Sequence, residues 1–165
     1  MPLTEVSERD LEVVSKQLGR PARDLVAIAA RCVCGNPIVV QTKPRLGDGT
    51  PFPTLYYLTA PAATAAISTL EASGLMAQLQ RRLEEESELK NAYLKAHLSY
   101  LSDRAKLGEV EEIEDFSAGG MPDRVKCLHA LAAHSLAKGE GVNPIGDIAL
   151  EQCSWSPRRC ECEDY

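Results

Sequence analysis

Aromatic residues are scarce in this chain, at 5% of its 165 residues. The core must therefore be built mainly from leucine, valine, isoleucine and alanine. No run approaches the ~18 apolar residues that a membrane-spanning helix needs, and the N-terminus lacks the basic-then-apolar pattern of an export signal. We therefore expect a cytoplasmic protein without a membrane span.

Basic residues are the minority among the charged ones. The sequence has 18 lysines and arginines against 24 acids and a formal net charge of −6, which argues against a general nucleic-acid-binding protein. The charge is unevenly spread, because residues 84–115 hold ten acids and four bases whereas residues 20–60 hold five bases and two acids. We expect a local basic surface, and we interpret the acidic run as a solvated face.

The sequence also lacks the common catalytic motifs. It contains no GxSxG, HExxH, GxGxxG or P-loop spacing, so a binding protein is favoured over an enzyme. A cysteine nucleophile remains an alternative, with Cys127 paired to His97 or His129. On a helix beginning at Pro122, however, Cys127 and His129 would lie about 160° apart around the axis and could not readily share one ion.

Local patterns predict an α+β fold that is predominantly α-helical, with six or seven helices around a single antiparallel β-hairpin. Residues 1–152 are expected to form one globular domain, and residues 153–165 a C-terminal tail that is ordered only if something holds it down. The hairpin is predicted to pair residues 38–40 with residues 55–58. Helices are predicted at residues 8–18 after a Ser7 cap, 21–31, 61–73, 75–106 with a break at Glu86-Ser87, 122–138 and 144–152.

Two segments indicate an anion site. Gly119 and Gly120 lead into the helix predicted from Pro122, whose free backbone amides suit a phosphate or carboxylate. Arg124 and Lys126 would add positive charge there. An ordinary glycine-containing turn is the alternative interpretation.

The second segment is a long loop between the two predicted strands. Residues 44–53 contain three prolines, and Arg45 is placed on this stiffened loop, which lowers the entropic cost of holding an anion. The loop is also longer than most hairpin connections. The complete predicted ligand site consists of Arg45, Gly119, Gly120, Arg124, Lys126, His129 and Asn143.

Six cysteines without an export signal are expected to be reduced thiols or metal ligands. Four of the cysteines form two CxC pairs, Cys32 with Cys34 and Cys160 with Cys162. Alternate residues of an extended segment point the same way, so the two thiols of each pair could bind the same ion. The two pairs could form a four-thiolate zinc site. CxC is less diagnostic than CxxC, so no metal and no cofactor is predicted, with zinc at these four cysteines as the alternative to free thiols.

Several phrases resemble a known family. They are Arg31-Cys32 followed by Gly35 and Pro37, TPFPTLYYLT at residues 50–59, GGMPDRVKCLH at residues 119–129, and GVNP at residues 141–144. The chain resembles the actinobacterial family catalogued as domain of unknown function number five hundred and one, over residues 8–150. The resemblance implies no assigned reaction. Its members tend to be encoded beside a septum-formation protein and an exopolyphosphatase-type enzyme.

These observations give one leading hypothesis and two alternatives. The leading hypothesis is an accessory protein that binds a phosphorylated or other anionic small ligand. The alternatives are a protein–protein adaptor in cell division or envelope biology, and an unrecognised enzyme that uses Cys127 or His129. The oligomeric state stays open.

Overall fold

A three-stranded antiparallel sheet and six α-helices occupy residues 2–165, the part of the chain that the computed structural model describes. The strands, in spatial order, are β1 (Leu25–Arg31), β2 (Pro37–Thr42) and β3 (Tyr56–Leu58). The helices are α1 (Glu8–Leu18), α2 (Pro61–Ala72), α3 (Leu75–Glu85), α4 (Ser87–Ala105), α5 (Leu128–Lys138) and α6 (Pro144–Gln152), with a 3-10 turn at Glu111–Ile113. The predicted fold class is confirmed. Strands β2 and β3 pair as predicted, and β1 adds a third strand on the other side of β2.

Strand β1 stands where the sequence predicted a helix over residues 21–31, so that prediction is wrong. Residues 27–30 are all buried, and an apolar run that is covered on both faces does not reveal its period. β1 pairs with β2 on one side, while Thr4 and Ile28 exchange backbone hydrogen bonds of 3.0 and 2.8 Å on the other. Strand pairing therefore overrides the helix preference of the alanines.

Helix α1 begins at the predicted cap. The Ser7 hydroxyl accepts a hydrogen bond from the Asp10 amide, and the Asp10 carboxylate accepts one from the Ser7 amide, each at 3.0 Å. The Asp10 carboxylate also receives the Arg31 guanidinium at 2.8 and 2.9 Å. This contact ties α1 to the end of β1, and the hydrogen bond from Arg31 lowers the pKa of Asp10 to about 2.

The remaining helices largely follow their local signals. Glu86 is extended, with φ −107° and ψ 102°, which confirms the predicted break between α3 and α4. Helices α2 and α6 both begin at the predicted proline. Within residues 2–165, every helix is too short or too polar to span a bilayer.

Helix α5 lies at the centre of the core and packs against β3, α2 and α6. Its approach to α6 depends on Gly146, where an added Cβ would lie 2.1 Å from the Leu131 carbonyl oxygen. The helix begins at Leu128, so the prediction of a helix from Pro122 is wrong. Residues 119–127 instead form a turn closed by its own backbone, in which Gly120 accepts from the Arg124 amide at 2.9 Å.

Arg104 holds three irregular segments together. Its guanidinium is buried and donates to the carbonyl oxygens of Pro53 at 2.7 Å, Ile113 at 2.6 Å and Ser117 at 3.5 Å. These acceptors belong to the loop between β2 and β3, to the 3-10 turn and to the segment before residue 119. One side chain thus supplies hydrogen bonds that regular secondary structure would otherwise provide.

The C-terminal segment contacts both the sheet and the core. Trp155 is 5% exposed and belongs to the main hydrophobic cluster. The Val33 amide, in the turn between β1 and β2, donates to the Pro157 carbonyl oxygen at 3.1 Å. These contacts place residues 153–165 beside the β1–β2 turn.

Candidate functional site

A cleft of about 570 Å³ lies where α3 and the start of α4 face the turn of residues 119–127. We call it the basic cleft. Three cations, Lys90, Arg124 and Lys126, line it together with the two acids Glu84 and Asp123. Within residues 2–165, none of the three cations makes an ion pair.

The turn that carries Arg124 and Lys126 is braced from two helices. The Gln80 amide group bridges it, donating to the Asp123 carbonyl oxygen at 3.0 Å and accepting from the Val125 amide at 2.9 Å. Tyr93, which is fully buried, donates its hydroxyl to the Arg124 carbonyl oxygen at 2.7 Å. The backbone beneath the cations is therefore held before any ligand arrives.

Gly119 and Gly120 make this close arrangement possible. Both have positive φ angles, of 65° and 97°. A Cβ on Gly119 would lie 2.6 Å from the Leu131 side chain, and a Cβ on Gly120 would lie 2.7 Å from the Arg124 carbonyl oxygen. The glycines shape the turn that presents Arg124 and Lys126, and they do not begin a helix.

Arg45 lies in the loop between β2 and β3, outside the basic cleft. Its guanidinium donates to the Glu112 carboxylate at 2.6 Å and to the Gly49 carbonyl oxygen at 2.8 Å. Arg45 is not among the residues that line the basic cleft. The structure therefore does not bring Arg45 together with Arg124 and Lys126 in one cleft, and Arg45 is instead paired with an acid of the 3-10 turn.

The start of α5 already holds a negative charge. The Leu128 amide donates to the Glu71 carboxylate of α2 at 2.8 Å. A carboxylate at this position is stabilised by the helix dipole and satisfies a free amide. The helix start that could attract an external anion is thus capped by Glu71.

Glu71, Cys127 and His129 form a second cluster, which we call the thiol cluster. One ligand atom from each of the three residues lies within 4.8 Å of the other two. Cys127 stands before the helix in extended conformation, with φ −147° and ψ 105°. The predicted separation of about 160° between Cys127 and His129 is therefore wrong, since it assumed that both residues are helical.

The His129 ring is held on both sides. Its Nδ1 lies 3.1 Å from the Glu71 carboxylate, and its Nε2 lies 3.1 Å from the Thr64 carbonyl oxygen and 3.1 Å from the Ser68 hydroxyl. Because a carbonyl oxygen only accepts, Nε2 carries the hydrogen of that bond. Nδ1 therefore faces the carboxylate and is the nitrogen that gains or loses a proton.

Electrostatics in the thiol cluster favour the charged forms. The hydrogen bond with Cys127, and then the charge of Glu71, raise the pKa of His129 to about 9 against the opposing effect of burial. The same hydrogen bond lowers the pKa of Cys127 below its ordinary value. A thiolate beside an imidazolium is the reactive form of cysteine.

Asn143 is fully buried and serves the core. Its Oδ1 accepts from the Gly146 amide at 3.0 Å and caps α6. Its Nδ2 donates to Nδ1 of His134 at 3.1 Å. Neither Asn143 nor His129 is among the residues that line the basic cleft.

Four cysteines converge between the β1–β2 turn and the C-terminal tail. The Sγ atoms of Cys32, Cys34, Cys160 and Cys162 all lie within 4.8 Å of one another, and those of Cys34 and Cys162 are 3.6 Å apart. We call this group the four-cysteine cluster. The cluster could hold a metal ion, because thiolates are strong ligands for soft and borderline metals.

Sequence reasoning missed several residues of these sites. Thr64, Ser68 and Glu71 are spaced by four and three residues, which places three polar groups on one face of the apolar helix α2. That spacing in the sequence could have indicated a polar site on this face of α2. Gln80 and Lys90 gave none, because their contacts with residues 123–126 join segments that are distant along the chain.

The family model described as protein of unknown function (DUF501) matches residues 28–151. This range contains the basic cleft and the thiol cluster, whereas Cys160 and Cys162 lie beyond it. Among curated proteins and solved structures, none matches the chain. Since the match covers most of the 165 residues, the chain belongs to the DUF501 family.

Proposed function

We propose that this protein binds a small phosphorylated or other anionic ligand in the basic cleft. One observation carries the proposal: Lys90, Arg124 and Lys126 line a single cleft, and within residues 2–165 none of them is engaged by an acid. Charge-assisted hydrogen bonds from such cations to phosphate or carboxylate oxygens are stronger than neutral ones.

The rigidity of the turn supports this function. Gln80 and Tyr93 hold the backbone of residues 123–125, so a ligand needs to order only the outer parts of the cationic side chains. Ordering a rotamer-rich side chain costs about 0.5–1.5 kcal/mol, and a prearranged backbone adds little to that cost. The proposed site keeps Arg124 and Lys126 from the sequence prediction and replaces Arg45 with Lys90.

The proposal is tested by calorimetric titration with inorganic pyrophosphate at low ionic strength. The double variant Arg124→Gln/Lys126→Gln is expected to bind at least about tenfold more weakly than the unaltered protein, which corresponds to about 1.4 kcal/mol. The matched control is Arg9→Gln/Lys95→Gln, which removes the same charge from exposed residues of α1 and α4 outside the cleft. The control is expected to keep its affinity.

Two results would contradict the proposal. Equal weakening in both double variants would show diffuse attraction between charges and no site. Failure of the unaltered protein to bind pyrophosphate and, in a parallel titration, citrate would exclude the cleft as a site for compact polyanions.

A second candidate function is thiol chemistry at the thiol cluster, favoured by the contact of His129 with both Glu71 and Cys127. Cys127 as thiolate would attack an electrophilic carbon of a substrate, and the imidazolium of His129 would give its proton to the leaving group. The test is alkylation by iodoacetamide, with Cys127 followed by peptide mass spectrometry. Cys127 is expected to react faster at neutral pH than the half-buried Cys153, and equal or slower reaction would count against this function.

A further inference from the structure

We infer that the four-cysteine cluster binds one Zn²⁺ ion through four thiolates and thereby fastens the C-terminal tail to the β1–β2 turn. This inference is independent of the anion site and of the thiol cluster, which use other residues. It assigns the four cysteines a joint role that the spacing CxC alone did not justify.

The positions of the sulfur atoms suit a tetrahedral metal site. Zinc–sulfur bonds of about 2.3 Å in a tetrahedron place the sulfurs about 3.8 Å apart. Cys34 and Cys162 are 3.6 Å apart, and all four Sγ atoms fall within 4.8 Å of one another. A disulfide would bring two sulfurs to about 2.05 Å, well below the 3.6 Å between the Sγ atoms of Cys34 and Cys162.

Backbone hydrogen bonds hold the two halves of the site. The β1–β2 turn is closed by Cys32, whose amide donates to the Asn36 carbonyl oxygen and whose carbonyl oxygen accepts from Gly35, both at 2.8 Å. The tail is held against that turn by the hydrogen bond from Val33 to Pro157 at 3.1 Å. The backbone therefore brings the sulfurs together, and binding of a metal ion would require little rearrangement of its ligands.

Neighbouring groups suit the charge of such a site. On binding, the four thiols release four protons to solvent, and Zn²⁺ with four thiolates keeps two excess negative charges. Asn36 neighbours both Cys34 and Cys162 and offers a backbone amide and a side-chain amide as hydrogen-bond donors to the sulfurs. Arg158, two residues before Cys160, makes no ion pair within residues 2–165, whereas Arg159 is paired with Glu161 at 2.8 Å.

The ion would join distant parts of the chain. Cys34 and Cys162 are 128 positions apart, and closing a loop of that length removes much conformational freedom from the unfolded chain. Trp155, the only tryptophan, is packed in the same hydrophobic cluster as Cys32 and Ile38. Zinc would therefore hold Trp155 in its buried position and keep the tail over this part of the core.

The first test is the metal content of protein purified in reducing buffer without chelator. Inductively coupled plasma mass spectrometry is expected to find one zinc ion per chain in the unaltered protein and none in the double variant Cys160→Ser/Cys162→Ser. The matched control, Cys127→Ser/Cys153→Ser, removes two thiols outside the cluster and is expected to retain the metal.

The second test covers the case in which the cysteine variants fail to fold. The unaltered protein is treated with a chelator under reducing conditions, and Trp155 emission is followed together with far-ultraviolet circular dichroism. Loss of zinc is expected to shift the emission to the red with little loss of helix, and added Zn²⁺ is expected to reverse the shift. Added Co²⁺ is expected to give the strong visible absorption of a tetrahedral thiolate site.

Three results would overturn the inference. The first is protein that holds no zinc as purified and binds neither Zn²⁺ nor Co²⁺ when reduced. The second is a mass that shows two disulfides among the four cysteines, or iron in place of zinc. The third is zinc that stays bound in the Cys160→Ser/Cys162→Ser variant, or an emission of Trp155 that does not change when zinc is removed.

Discussion

Two histidines of α5 lie five residues apart and have opposite properties. His129, in the first turn, is partly exposed, and its pKa is raised to about 9. His134, in the middle of the helix, is fully buried, and burial lowers its pKa to about 4. Around neutral pH the first therefore carries a positive charge and the second is neutral.

Their partners explain the difference. His129 faces the carboxylate of Glu71 and the thiol of Cys127, which both stabilise a proton on the ring. His134 is stacked on Tyr56 with ring centres 5.9 Å apart and meets Tyr100 edge-on at 5.0 Å. Its Nδ1 accepts from Asn143, which a protonated nitrogen could not do.

The two rings hold their charge states for different physical reasons. A cation in the first turn of a helix is disfavoured by the helix dipole, so the charge of His129 depends on Cys127 and Glu71. His134, by contrast, is neutral because it is buried between aromatic rings, and within residues 2–165 its Nε2 has no hydrogen-bond partner.

The largest effect is expected on acid stability through His134. Its pKa is about 4 when folded and about 6.5 when unfolded, so the unfolded chain binds more protons between these values and stability falls as the pH drops from 6.5 to 4. This group alone is expected to cost about 3 kcal/mol over that range. Urea unfolding at several pH values measures it, and His134→Gln is expected to flatten the slope. An unchanged slope in His134→Gln would refute this role.

The variant Asn143→Asp would make His134 resemble His129 by giving it a carboxylate neighbour. Aspartate also caps helices, so the bond from the Gly146 amide to residue 143 is expected to survive. The pKa of His134 is expected to rise by more than about one unit, equal to about 1.4 kcal/mol. Titration of the ring resonances by NMR measures the shift. The variant Asn143→Ser, which keeps a cap without a charge, serves as control.

The contribution of His129 has the opposite dependence on pH. Its raised pKa stabilises the folded chain fully below pH 6.5, and that stabilisation is lost as the pH rises through about 9. Because the group is partly exposed, we expect only about 1 kcal/mol. Unfolding at pH 6 and pH 10 is expected to show this loss in the unaltered protein and a smaller loss in His129→Asn. Identical losses would show that the contacts of His129 with Cys127 and Glu71 add no stability.

The smallest effect is expected on the reactivity of Cys127. In His129→Asn the thiol loses the hydrogen bond that does most to lower its pKa, so the pKa of Cys127 rises toward that of an ordinary thiol. The pH midpoint of alkylation is therefore expected to move upward. Cys153, which bonds only to carbonyl oxygens of Leu150 and Trp155, provides the reference thiol in the same sample. An unchanged midpoint in His129→Asn would show that His129 does not activate the thiol.

Elements with local signals could be predicted from the sequence. The Ser7 capping box, the break at Glu86 and the proline start of α6 each depend on a few adjacent residues. Strand β1 could not be predicted, because its form depends on pairing with β2 and with Thr4. The same holds for residues 119–127, where braces from Gln80 and Tyr93 replace the expected helix.

The candidate sites show the same division. The sequence indicated Arg124 and Lys126 through their charge and the preceding glycines, but it could not show that Arg45 lies outside the cleft and pairs with Glu112. The angle predicted between Cys127 and His129 assumed that both residues are helical. It was wrong because α5 begins only at Leu128. The four cysteines were visible as two pairs, and only the fold brings the pairs together.

Arg104 has a consequence for motion. Its single guanidinium joins the segments at Pro53, Ile113 and Ser117, so none of these segments can swing away without releasing a buried cation from its acceptors. Releasing them separately would leave an unpaired charge in the interior, which is costly. The three segments are therefore coupled, and their backbone amides are expected to exchange with deuterium in one cooperative opening event.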